Sequence, residues 1–418
     1  MSSAETPAGH DLGTPPTLAE YEAAAARLDG VAQRTPLLSS KFLAELAGVP
    51  VFLKAENLQR TGSYKLRGAF NRIAQLDEAQ RTAGVVAASA GNHAQGVAYA
   101  ARELGLKATI FMPVGVALPK LQATRRYGAE VVLHGNTFNE TLSAATEFAE
   151  RTGATFIPPY DHRDVIAGQG TLALEILSQC PDVTTVIIPI GGGGLISGVA
   201  GALRAKEAEL GRRFCIVGVQ AENAAAYPPS LQAGKPTQIS IKPTIADGIA
   251  VSRPGDLNFQ MVAELVDEVV TVSDDEIAQA LLTLLERTKL IVEPAGAASV
   301  AALLSGRVHF EGTTVALLSG GNIDPMMVER VINRGLAAAH RYVKLSIPLP
   351  DRPGQLARIA EIIADADANV VEVLHTRHNM DLQISEVELD VHIETRGDEH
   401  AELVLSRLIE AGYQPRVG

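Results

Sequence analysis

Short apolar, β-branched runs alternate along most of the chain with longer segments whose apolar positions recur at helical spacing. Val85–Ser89, Ala108–Met112 and Glu130–His134 read as strands of a smaller sheet. Thr185–Ile190, Cys215–Ala221 and Thr313–Ser319 read as strands of a larger one. Runs that are apolar throughout suit strands buried on both faces, and strands interleaved with helices mark a parallel α/β architecture. Thr17-Leu18-Ala19-Glu20 fits a capping box that starts the first helix. Residues 1–16, rich in Gly, Pro and Ser, read as a disordered tail.

The pattern changes from about Arg341. Val343–Leu349 reads as a strand, and the turn Asp351-Arg352-Pro353-Gly354-Gln355-Leu356 breaks it and starts a helix to about Ala368. Strands over Val370–Arg377 and Ile384–Glu394, a helix over Glu399–Ala411 and a short terminal strand complete a βαββαβ order. This segment holds 14 acids against 8 Lys and Arg, a balance of −6, half of the chain's −12.

Composition narrows the class. A length of 418 residues allows two to three domains, and 46% hydrophobic residues supply a substantial core. No run approaches the roughly 18 apolar residues of a membrane span. The start, Met1-Ser2-Ser3-Ala4-Glu5-Thr6-Pro7, lacks the basic and hydrophobic parts of a signal peptide. Cys180 and Cys215 have no metal or redox spacing, so a reducing, cytoplasmic setting is expected. The negative charge argues against nucleic acid as partner.

The chemistry lies in turns that end apolar runs. Lys65 stands in Gly62-Ser63-Tyr64-Lys65-Leu66-Arg67-Gly68 and opens an apolar helix. A lysine near a buried surface loses charge readily, and its free amine is a nucleophile toward an aldehyde. Ser89-Ala90-Gly91-Asn92-His93, Gly191-Gly192-Gly193-Gly194-Leu195 and Ser319-Gly320-Gly321-Asn322 follow. Four glycines at a strand-to-helix turn leave backbone N–H groups free to converge on an anion. No Gly-Lys-Ser/Thr ending makes this a Walker loop, and no G-x-G-x-x-G favours a dinucleotide. An amine, a ring contact, a phosphate cradle and a short hydroxyl together suit pyridoxal phosphate.

Those four ordered motifs resemble fold-type II pyridoxal-phosphate enzymes, and within them the serine/threonine dehydratase group, over roughly residues 20–335. The resemblance implies a two-domain body of parallel twisted sheets. Residues 17–84 and 162–335 would form the large cofactor-binding domain and 85–161 an inserted small domain. It also implies roles. Lys65 links the cofactor covalently and moves the substrate's α-proton. Asn92 contacts the ring hydroxyl, the amides of Gly191, Gly192, Gly193, Gly194 and Leu195 hold the phosphate, and Ser319 meets the pyridine nitrogen. Ser89, Ala90, Gly91, Asn92 and His93 form the loop that grips the substrate carboxylate, although for His93 a purely structural role is equally open. Glu293 in Val-Glu-Pro-Ala-Gly lines the cleft or, more blandly, starts a helix. The family more often has Phe at Tyr64, a conservative departure.

The implied activity is α,β-elimination from L-threonine, giving 2-oxobutanoate and ammonia, and from L-serine, giving pyruvate. A hydroxyl at the ring nitrogen disfavours transamination, for which an aspartate is needed. Related serine racemases usually carry a serine where this chain has Ala90, so racemisation is disfavoured. A serine-preferring dehydratase, a racemase-like enzyme and a catalytically inert amino-acid sensor remain as alternatives. Glu222 matches one ligand of a cation site in relatives, but Pro228 stands where its aspartate would, so no metal is expected. Residues 341–418 resemble an ACT domain through the Asp351–Leu356 turn and Asn369. That likeness implies an amino-acid effector, isoleucine or valine, in a homodimer or homotetramer serving isoleucine synthesis or amino-acid breakdown. A structural dimerisation module is the other reading.

Overall fold

The computed structural model describes residues 14–308, 312–338, 340–376 and 386–417. The expected disordered tail therefore lies outside the described residues up to position 13. Strands β1 (Leu37–Ser39) and β2 (Val51–Ala55) are followed by β3 (Val85–Ala88), β4 (Ala108–Met112), β5 (Glu130–Leu133) and β6 (Thr155–Phe156). Then come β7 (Val183–Pro189), β8 (Cys215–Ala221), β9 (Glu268–Val272) and β10 (Thr313–Leu318). The larger sheet has the order β1-β2-β10-β7-β8-β9. It is parallel apart from β1, which pairs antiparallel with β2. The smaller sheet, β5-β4-β3-β6, is parallel throughout. Every residue of β3, β4 and β10 is buried, as expected where helices cover both faces. Ser89, His134, Ile190 and Ser319, expected as strand ends, fall just beyond them in the turns.

The helices explain how the sheets meet. The first helix starts at Leu18, and the Thr17 amide donates to Glu20 Oε2 at 2.8 Å, so the capping box forms as expected. Leu195, Ile196, Val199 and Leu203 of the helix Gly194–Leu210 join the core of the larger sheet with Val186 and Ile188. Leu66, Ala69, Phe70 and Ile73 of the helix Lys65–Ile73 instead pack with Val85, Ala87 and Ile110 of the smaller sheet. The loop before that helix is stitched to the larger sheet. Tyr64 N donates to Ser319 O at 3.2 Å, Gly321 N donates to Gly62 O at 2.8 Å, and Ser63 bridges Gly320. Lys65 therefore stands where both sheets are joined.

The chain divides into two compact units, one running to Pro325 and the other from Met326. The dividing point lies at the first residue of the helix Pro325–Ala338, ahead of the expected 335. In the second unit β11 (Tyr342–Pro350), a helix Gln355–Asp365, β12 (Asn369–Thr376), β13 (Glu386–Glu394), a helix Asp398–Glu410 and β14 (Arg416–Val417) follow in the βαββαβ order. Arg377 and residues 384–385 of the expected strands lie outside the described residues. The sheet, β12-β13-β11-β14, is antiparallel. Along β11 and β13 burial alternates residue by residue, so one face meets Ile359, Ile363, Val404 and Leu408 of the two helices.

Candidate active site

The Lys65 loop follows β2, and the turns that carry the other predicted residues follow β3, β7 and β10, at the carboxyl ends of parallel strands, where open α/β sheets gather ligands. Lys65 is the first residue of its helix, and its Nζ donates to the carbonyl of Pro159 at 2.9 Å. Burial is the main cause that pulls this amine down to about 8, partly opposed by the charge of Glu293. A useful fraction of free amine therefore exists near neutral pH.

Asn92 opens the helix Asn92–Glu103 after Gly91. Its Oδ1 accepts from Asn322 Nδ2 at 2.8 Å, and its Nδ2 donates to Glu293 Oε1 at 2.6 Å. An amide nitrogen has two hydrogens, so one N–H of Asn92 remains available to donate to a ligand oxygen. Asn322 also donates to Thr61 O at 2.8 Å, which ties Asn92 to the Lys65 loop through one intermediary.

Glu293 is more than a helix start. It occupies the cap position of the helix Pro294–Leu304, yet its carboxylate makes no cap bond and turns to Asn92 instead. Only 7% of it is exposed, and burial, aided by the nearby charge of Asp247, pushes the carboxyl up to about 7. The close fit also explains Gly320, where a Cβ would fall 2.3 Å from Glu293 Oε1. His93 is held by the fold. It is buried, Nε2 lies 2.8 Å from Ile157 O, and burial with the nearby Lys65 charge drives the ring down to about 3. The imidazole is neutral, and its hydrogen bond to a carbonyl places the ring proton on Nε2. Gly91 N donates to Ser89 Oγ at 3.2 Å, which closes that loop.

The four glycines join β7 to the helix Gly194–Leu210. Gly193 has φ +108°, and a Cβ there would lie 2.0 Å from the hydroxyl of Tyr227. At Gly192 it would lie 2.5 Å from the ring of Tyr160. Among the described residues no protein acceptor takes the amide hydrogens of Gly191, Gly192, Gly193 or Gly194. Free amides at the start of a long helix are an anion site by dipole and by hydrogen bonding. Ser319, 3% exposed, sits on the turn after β10. A free lysine amine, an unused amide hydrogen and an unfilled set of N–H donors fit pyridoxal phosphate.

One layer of the site gave little sequence signal. Arg67, 1% exposed, donates to both carboxylate oxygens of Glu56, at 2.9 and 2.8 Å, and to Glu175 at 2.6 Å. Lys54, wholly buried, donates to Glu175 at 2.7 Å. This network holds the helix that Lys65 begins. Its trace in the sequence is Arg67 with Asn71 four residues on, two polar residues buried on a helix face that is otherwise apolar. Among the described residues no group of three or more His, Cys, Asp or Glu is arranged to hold a metal, and no helix is long and apolar enough to cross a membrane.

The chain is similar to known proteins along most of its length. The family described as "Pyridoxal-phosphate dependent enzyme" matches residues 28–320. The L-threonine ammonia-lyase of Thermotoga maritima is 46% identical over 402 residues, 96% of this chain and 99% of that protein. A solved threonine deaminase from T.th. is 41% identical with a TM-score of 0.69, covering 74% of this chain and 99% of its own. Maize serine racemase is 35% identical with a TM-score of 0.71, covering 78% and 99%. Lyases and racemases thus share this body, so the fold by itself does not choose the reaction. The chain belongs to the pyridoxal-phosphate-dependent enzyme family and uses that cofactor.

Proposed function

We propose that the chain is a threonine ammonia-lyase, converting L-threonine to 2-oxobutanoate and ammonia by α,β-elimination, with L-serine as a second substrate that gives pyruvate. The observation that carries the reading is the nearly end-to-end match to the Thermotoga maritima L-threonine ammonia-lyase. Pyridoxal phosphate, when bound, supplies the electron sink for the pair left at the substrate's α-carbon. The chain's own residues do the rest. Lys65 anchors the cofactor and its Nζ, deprotonated readily through burial, takes the α-proton. The amides of Gly191–Leu195 hold the phosphate, and Asn92 gives its spare N–H to the ring hydroxyl. Amides at the start of the helix Asn92–Glu103, with Ser89, hold the substrate carboxylate.

Ser319 and Ala90 select the outcome. The Ser319 hydroxyl, unlike a carboxylate, would not hold a proton on the pyridine nitrogen of the bound cofactor, which would favour loss of the β-hydroxyl over transamination. Ala90 offers no proton to the opposite face, which works against racemisation. Threonine and serine differ by one methyl, worth about 1–3 kcal/mol of discrimination. The test is a steady-state assay of the loaded enzyme on both amino acids, following 2-oxo acid release and D-serine together. Formation of D-serine faster than pyruvate would sink the lyase reading in favour of a racemase.

For the second unit we infer an ACT-like module that senses isoleucine or valine in a cytoplasmic homo-oligomer. Its βαββαβ order supports this. So does the match of the Thermotoga relative over 96% of the chain, where the T.th. structure matches 74%.

A further inference from the structure

We propose that Tyr227 is a positioning residue for the phosphate end of the cofactor: its hydroxyl pins the Gly192 carbonyl and so turns the Gly193 amide into the anion cradle. The inference rests on the reading of Gly191–Leu195 as that cradle. Tyr227 begins the helix Tyr227–Ala233 and is wholly buried, so its ring lies in the core behind the glycine turn. It is fixed at both ends. Its backbone N donates to Oε1 of Gln220, also wholly buried on β8, at 2.8 Å. Its Oη donates to the carbonyl of Gly192 at 3.2 Å.

A second donor, Gly255 N, reaches the same carbonyl at 3.1 Å. A peptide unit is planar and trans, so the C=O of Gly192 and the N–H of Gly193 point in opposite directions. With the carbonyl turned toward Tyr227 and Gly255, the Gly193 amide faces away from them. On that side it finds no protein acceptor among the described residues. Gly193 is shaped to this partner: φ is +108°, and a Cβ would fall 2.0 Å from Tyr227 Oη. Burial raises the phenol well above its ordinary range, so the hydroxyl keeps its proton and remains a donor at any working pH.

The test compares two ligands on the cofactor-free enzyme. Pyridoxal phosphate and pyridoxal carry the same ring and aldehyde and differ only in the phosphate. Each is titrated against the wild type and Tyr227→Phe, which keeps the ring and deletes the hydroxyl. Losing one hydrogen bond should weaken pyridoxal phosphate about five- to tenfold and leave pyridoxal unchanged. A wild type that does not prefer the phosphorylated ligand would overturn the cradle itself. A preference kept intact in Tyr227→Phe would overturn only the role of Tyr227. Equal weakening of both ligands would also overturn it, because the hydroxyl would then serve the core and not the phosphate.

Discussion

In the unit that runs to Pro325, Lys54, Glu56, Arg67 and Glu293 lie inside the protein. In the unit from Met326, β11 and β13 send Val343, Leu345, Val391 and Ile393 into the core and turn Lys344, Asp390 and His392 to the other face. The first arrangement follows from parallel strands covered on both faces. Polar groups caught inside such a body lose water and must hold one another, as Lys54, Glu56 and Arg67 do together with Glu175. The second follows from helices on a single sheet face, which leaves the opposite face able to carry charge. There Lys344 meets Asp390 at 3.4 Å and His392 meets Glu372 at 3.1 Å. One unit is built to distort the chemistry of a few groups, the other keeps its charged groups on a face outside its core.

The contrast is broken most severely at Lys65. Lys65→Ala should lose at least the general-base factor of about 10²–10⁴ in turnover, and the covalent anchor with it. Intact-mass analysis after borohydride reduction should find the wild-type adduct on Lys65; an adduct on another lysine would remove the site assignment. Next comes the buried network. Arg67→Met takes the guanidinium from Glu56 and Glu175, leaving Glu56 to the Thr35 hydroxyl and Glu175 to Lys54, and should cost about 3–5 kcal/mol. Denaturant unfolding followed by separate probes should move the transition of the first unit and leave the second in place.

A subtler break uses pH. The Glu293 carboxyl is raised to about 7 in the folded chain from 4.5, so the folded state holds this proton more tightly. The stability it contributes is complete below about 4.5 and is lost as pH rises through 7. The cofactor-free enzyme should therefore lose up to about 3 kcal/mol between pH 5 and 8 through this group. Glu293→Gln should flatten that slope in thermal melts; an unchanged slope would assign it to other groups. The smallest effect belongs to the second unit. A chain ending near Arg341 keeps every cofactor motif and should keep turnover, while an isoleucine or valine response of about 1–3 kcal/mol should vanish. If the full-length protein shows no heat of binding and no rate change with either amino acid, the sensor reading fails.

What could be read from the residues divides along the same line. Cys215–Ala221 and Ala108–Met112 are strands over those same residues because apolar β-branched runs buried on both faces have few alternatives. The turns holding Lys65, Asn92, the glycines and Ser319 were legible because their residue types are rare in combination. β1, β2, β6 and β9 were not foreseen: β1 and β6, with three and two residues, are defined by a neighbour and not by their own pattern, and Lys54 in β2 and the part-exposed β9 interrupt the apolar run that marks a buried strand. Glu293 was half legible: its place at a helix start shows in Val-Glu-Pro-Ala-Gly, but its bond to Asn92 spans 201 positions and leaves no local mark. The pairing of Arg67 with Glu56 and Glu175 was hidden for the same reason.

The place of β10 has a consequence for how the enzyme is made. It is the last strand of its sheet to leave the ribosome, yet it lies between β2 and β7, which do not pair with each other. Until it inserts, the loop before Lys65 has no Ser319 carbonyl to bind and no Gly320 to face. Chains stalled before Thr313 should thus show no cofactor trapped on Lys65. The nascent protein must close its central seam unaided, and the vitamin-derived ligand arrives at a finished body instead of templating an unfinished one.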